Sequence, residues 1–80
     1  MTFKEIKVTA HSGSRVNEYP TGFVLDKTVY MVMEILDRWY EGSPEPGKPY
    51  MNYFKIRAHD GKVYVLRYNG LFDSWAVLIQ

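Results

Sequence analysis

Tyr53 to Ala58 ("YFKIRA") and Lys62 to Tyr68 ("KVYVLRY") flank His59-Asp60-Gly61. These two alternating runs around a glycine turn constrain the fold more than any other stretch. Gly61 supplies the positive φ that a tight hairpin needs, and β-branched and aromatic residues on both sides suit paired strands. Two registers are open. With a three-residue loop, Ala58 pairs with Lys62, so Phe54, Ile56, Ala58, Tyr64 and Leu66 share a face, and Tyr53, Lys55, Arg57, Val63, Val65 and Arg67 share the other. With a two-residue loop the second strand flips, and Lys55, Arg57, His59, Lys62, Tyr53, Tyr64, Leu66 and Tyr68 interleave on the outside. The first register offers the better core volume; the second resembles sheets that stack bases while neutralising phosphates.

The rest of the chain extends this pattern. Phe3 to Ala10 alternates, with Ile6 and Val8 toward a core and Phe3 on the opposite row. His11 to Thr21, rich in Ser, Gly, Asn and Pro, reads as a loop. Gly22 to Leu25 and Thr28 to Met33 read as strands around the turn Asp26-Lys27, which sets Phe23 opposite Tyr30. Glu41 to Asn52, with three prolines and two glycines, is a second loop. Asn69 to Asp73 is a turn, and Ser74 to Gln80 a last strand with Trp75, Val77 and Ile79 on one side.

The segment from Thr28 to Tyr40 has two readings. As a helix it would line up Val29, Val32, Met33, Leu36 and Tyr40. As a strand, its β-branched and aromatic start fits, and one bulge near Glu34 would let Tyr30, Val32 and Ile35 share a face. The expectation is an all-β single domain over residues 1–80, a five- or six-stranded antiparallel meander curled into an SH3-like barrel. The alternative is α+β with a helix at about 28–40.

Composition sets the limits on chemistry. Eighty residues suit one modest core, and seven Tyr, four Phe and two Trp supply large apolar surface for so short a chain. There is no cysteine, hence no disulfide or thiolate site, and "MTFKEIKVTAH" lacks a signal-type apolar run, so a cytoplasmic location is expected. No stretch approaches the roughly 20 apolar residues that cross a bilayer, and no membrane partner is expected. Ten basic against nine acidic side chains give a formal charge of +1, so bulk charge does not announce nucleic acid. His11 and His59 have no further His or Cys to complete a metal site. The four serines sit in no nucleophile elbow, and Gly42 to Lys48 carries prolines where a phosphate cradle needs N–H donors. No enzyme activity and no cofactor are expected.

The run Tyr30-x-Val32-x-Glu34-x-Leu36-Asp37-Arg38-Trp39-Tyr40 is followed by Tyr53-Phe54-x-x-Arg57-Ala58-x-Asp60-Gly61-x-x-Tyr64-x-Leu66-Arg67-Tyr68 and then Trp75. Together they resemble a small uncharacterised prokaryotic domain family whose related forms occur near the C-terminus of Y-family DNA polymerase-like proteins. The resemblance covers Phe23 to Val77, with an echo in His11-Ser12-Gly13-x-Arg15-x-x-Glu18-x-Pro20. It implies no catalytic residues, favours a strand over Thr28 to Arg38, and suggests a DNA-linked accessory role by association. The chain departs from the pattern in a Pro-rich insertion at Ser43 to Pro49.

These features lead to a non-enzymatic binding module, with nucleic acid as the first expected partner and another protein as the alternative. The protein reading would use an aromatic groove or the Pro-rich loop. The candidate binding residues are Arg38, Trp39, Tyr40, Tyr53, Lys55 and Arg57, whose rings could stack on a partner and whose cations could meet phosphates or carboxylates. Arg67 with Arg57, and Arg38 as a further candidate member, leaves a locally basic surface in either register. Trp39 and Leu36 are also expected to close the core, and Asp37 and Arg38 to form a local pair at the strand's exit, which leaves Tyr40 as the outward candidate.

Overall fold

A computed structural model describes residues 2–12, 18–42, 45–47 and 50–79. Six strands follow one another: β1 (Thr2–His11), β2 (Tyr19–Leu25), β3 (Thr28–Glu41), β4 (Met51–Ala58), β5 (Val63–Asn69) and β6 (Ser74–Ile79). Each pairs antiparallel with the next, and β6 pairs back onto β1, closing a barrel whose strand order is the chain order. The fold is all-β, and the helix alternative at 28–40 is replaced by β3. Among the described residues no helix is long and apolar enough to cross a membrane.

Alternation builds the core. Phe23, Phe54, Ile56, Ala58, Leu66, Tyr68, Trp75 and Val77 are buried, with Ile6, Val8, Tyr30, Val32, Ile35 and Tyr64 packed against them. Fully burying an aliphatic or Phe side chain contributes about 1.5–3 kcal/mol, so four such residues from β4, β5 and β6 anchor the interior. The β4–β5 hairpin takes the three-residue loop: the Ala58 N–H donates to the Lys62 carbonyl and the Gly61 N–H to the Ala58 carbonyl, both at 2.9 Å. Gly61 adopts a φ of 83°, which explains why glycine stands there. Tyr53, Lys55, Arg57, Val63, Val65 and Arg67 therefore point outward.

The Asp26-Lys27 turn has φ values of 50° and 67°, the doubly left-handed geometry of a type I′ hairpin, and it pairs Phe23 with Tyr30. Lys4 Nζ reaches Asp26 Oδ1 at 2.7 Å, tying β1 to this turn.

Two expectations about loops need correction. β1 continues to His11 and β2 begins at Tyr19, so the ends of the expected loop at His11 to Thr21 are strand. Pro20 is tolerated because the β1–β2 register shifts between Thr9 and Ala10, leaving Thr21 as the extra residue, whose hydroxyl donates to the Thr9 carbonyl at 3.0 Å. Likewise Glu41, Met51 and Asn52 are paired rather than looped. The sequence motifs at Gly13 and Ser14, and Ser43, Pro44, Lys48 and Pro49 of the insertion, lie outside the described residues.

β3 decides where the aromatic-charge cluster faces. Its ladder with β4 runs Val32 to Ala58, Glu34 to Arg57, Ile35 to Ile56, Asp37 to Lys55, Arg38 to Phe54 and Trp39 to Tyr53, with irregularities between Val32 and Glu34 and between Ile35 and Asp37. The first is the bulge expected near Glu34. The second, at Leu36, was not expected, and it reverses the parity again. The Arg38 N–H there is taken by Asp37 Oδ1 at 2.8 Å, so the local pair is side chain to backbone. Consequently Arg38 and Tyr40 join the inward row at the barrel's end, while Trp39 turns outward.

The second bulge thus overturns the core-closure role of Trp39 and Leu36, which are 44% and 37% exposed. A seam lies on the other edge of β3. The β2–β3 ladder runs from the turn to Gly22 and Met31; beyond it Tyr19 and Pro20 pair with β1, and the stretch from Val32 to Glu41 with β4. A shallow groove of about 180 Å³ lies between them, lined by Tyr19, Pro20, Thr21, Val32, Met33, Glu34 and Ile35. Arg38 bridges this seam, its guanidinium donating to the Glu18 carbonyl at 3.2 Å and lying 4.8 Å from the Phe54 ring centre.

Candidate functional site

The outward rows of β3, β4 and β5 place Trp39, Tyr53 and Arg67 side by side on consecutive strands. Trp39 and Tyr53 stack with ring centres 5.2 Å apart and planes within 2°. The Tyr53 hydroxyl donates to Glu41 Oε1 at 3.2 Å, which fixes the ring along the sheet. Phe3, on the outward row of β1, meets Tyr53 edge-on at 6.2 Å and lies 4.0 Å from the Arg67 guanidinium carbon. Ala76 pairs with Arg67 on β6, and its small side chain leaves the space that Phe3 crosses. The result is a continuous exterior patch of three rings and one cation, beside a groove of about 420 Å³ that turns over the rim between Trp39, Tyr53, Arg38 and Tyr40.

Four of the six expected binding residues share this exterior: Trp39, Tyr53, Lys55 and Arg57. Arg38 does not, because it is committed to Phe54 and the Glu18 carbonyl. Tyr40 sits at the barrel's end, 65% exposed, stacked on Tyr50 at 6.1 Å. Of the cations of the set, Arg57 forms an ion pair with Glu34, and Lys55 stands opposite Asp37 in the ladder. Phe3 is a residue that sequence reasoning missed as a site; alternation put it outward, but nothing local indicates that it reaches Arg67.

Arg67 differs from Arg57, which is held by Glu34. The Arg67 Nε is buried without a hydrogen-bond partner, and among the described residues it meets no carboxylate. The two histidines lie at opposite ends of the barrel: His11 stacks on Tyr19 at 4.8 Å, and His59 Nδ1 accepts the Met31 N–H at 3.0 Å. Among the described residues no group of three or more His, Cys, Asp or Glu side chains could hold a metal.

Near the β4–β5 turn, the Tyr64 hydroxyl donates to Asp60 Oδ2 at 2.7 Å and the Lys62 N–H to Asp60 Oδ1 at 3.0 Å. These bonds, the tyrosine's first, hold the Asp60 carboxyl below its usual value, whereas burial and then Asp60 push the Tyr64 phenol up. This pair braces the turn and stands apart from the ring patch. Compared with protein-family models, with curated proteins and with solved structures, the chain finds no match.

Proposed function

We propose that the protein is a small, non-enzymatic cytoplasmic binding module whose exterior β3–β4 face takes single-stranded nucleic acid by stacking. The observation that carries this reading is the parallel Trp39–Tyr53 pair, outward on a sheet whose other tryptophan is buried. Base stacking on such rings contributes about 1–3 kcal/mol per base and tolerates any sequence. The resemblance of the β3 and β4–β5 motifs to a domain family found beside Y-family polymerase-like proteins agrees with a DNA-linked accessory role.

Electrostatics shape the expected behaviour. With Arg57 paired and Lys55 facing Asp37, few cations remain for phosphates. Each phosphate contact to a single strand adds about −0.7 to the slope of log affinity against log salt. Binding should therefore be weak and only mildly salt-dependent. The same charge matching favours a second reading, a protein partner seated on a near-neutral aromatic face with Glu34, Asp37 and Glu41 at its rim.

Titrating the protein with short thymidine oligonucleotides at two salt concentrations tests the first reading. Quenching of tryptophan emission that disappears in Trp39→Phe is the expected result, together with amide shifts centred on Trp39 and Tyr53. No binding at low salt refutes it. Partners that co-purify through this face after nuclease treatment would transfer the function to protein.

A further inference from the structure

We infer that Arg67 is the phosphate-binding point of this face, so that a single strand crosses the sheet from Trp39 toward Phe3. The inference rests on the stacking reading and adds its charge contact. Arg67 carries a positive charge with no acid beside it among the described residues, while Lys4 pairs with Asp26 and Arg57 with Glu34. Its Nε–H is withdrawn from water without an acceptor, and such a donor is costly to leave unsatisfied. The Phe3 ring, 4.0 Å from the guanidinium carbon, offsets part of that cost and restricts the group's orientation.

A guanidinium fixed in this way presents a planar fork that suits two oxygens of a phosphodiester. Position supports the assignment. Strands lie about 4.8 Å apart, so the outward row carries Arg67 on β5 about 10 Å from Trp39 on β3. A base stacked on Trp39 then has a phosphate of the same strand over Tyr53 or Arg67. Arg57 is held by Glu34 and Lys55 stands opposite Asp37, so the number of phosphates neutralised is small.

The test uses the whole chain and thymidine octamers, read by Trp39 fluorescence over a salt series, with far-UV circular dichroism confirming the fold of each variant. Wild type should show a slope of about −0.7. Arg67→Gln should lower affinity about tenfold and flatten the slope toward zero. Arg67→Lys should keep the slope and lose part of the affinity, because the charge stays while the fork and its stack on Phe3 go. A thymine oligomer on an uncharged backbone should bind wild type and Arg67→Gln equally.

If wild type binds neither oligomer, the stacking reading fails and takes this inference with it. If wild type binds and Arg67→Gln keeps its affinity and slope, the inference about Arg67 alone is overturned. Should Arg67→Gln fail to fold, Arg67→Lys and Phe3→Leu decide: unchanged affinity and slope in both count against it. Competition by an acidic peptide that exceeds that of the oligonucleotide at equal charge would assign Arg67 to a carboxylate partner and overturn it as well.

Discussion

The two tryptophans lie on opposite sides of the barrel wall, and truncating each should separate architecture from site. Trp75 is 6% exposed and packs inside against Tyr68 at 5.1 Å and Phe54 at 5.6 Å between ring centres. Removing a core ring of this kind costs about 3–5 kcal/mol. Here the lower end is expected, because the indole Nε1 is buried without a partner and its loss relieves an unsatisfied donor. Trp39, at 44% exposure, loses its stack on Tyr53 and a partial apolar contact, for about 1–2 kcal/mol. Against a domain stability of roughly 5–15 kcal/mol, Trp39→Ala should stay folded while Trp75→Ala approaches the threshold. Urea unfolding followed by circular dichroism reads both, as midpoint shifts at constant slope. If Trp75→Ala does not fold, Trp75→Phe should fold and lose less than about 3 kcal/mol. Equal losses in Trp39→Ala and Trp75→Ala would place Trp39 in the core and remove the basis for an exterior site.

Gly70 touches the barrel's end: a methyl there would sit 1.9 Å from the Tyr50 ring, so Gly70→Ala should swing Tyr50 away and abolish its stack on Tyr40, seen as changed aromatic proton shifts; unaltered shifts would refute the packing. Stability against pH should follow the Asp60–Tyr64 pair. The lowered Asp60 pKa contributes stability above its ordinary 3.8 that is lost as pH falls through the folded value, and the raised Tyr64 pKa contributes stability below 10 that is lost as pH rises above it. Tyr64→Phe should flatten the acid limb of the urea midpoint, and an unchanged limb would break the assignment.

Much of the barrel is legible from local chemistry. Gly61 and Asp26-Lys27 mark two hairpins, and alternation gives the inward rows of β1, β4, β5 and β6. The hairpin register is settled by which face carries Leu66 and Tyr68, a matter of packing volume rather than of the turn residues. The second bulge of β3 is not legible, because Leu36-Asp37-Arg38 has no apolar alternation to break. What fixes it is Asp37 capping a backbone N–H and Arg38 finding Phe54 and a carbonyl across the seam. That single reversal moves Trp39 from interior to exterior and takes Arg38 off the exterior row. Tyr19-Pro20-Thr21 misleads for a related reason: proline signals a loop, yet a bulge accommodates it in a strand.

Closure of β1 on β6 has a kinetic consequence. Five ladders form between neighbours in sequence, but this one joins Thr2 to Ile79. Each doubling of a closed loop costs about 0.6 kcal/mol, so this step costs roughly 2–3 kcal/mol more than a turn of a few residues and is expected late in folding. Phe3 rides on β1 and Arg67 on β5, so their contact exists once the circle is complete. A chain arrested one ladder short would hold the row Trp39–Tyr53–Arg67 without Phe3 across it, which makes the Phe3–Arg67 contact a reporter of the final folding event.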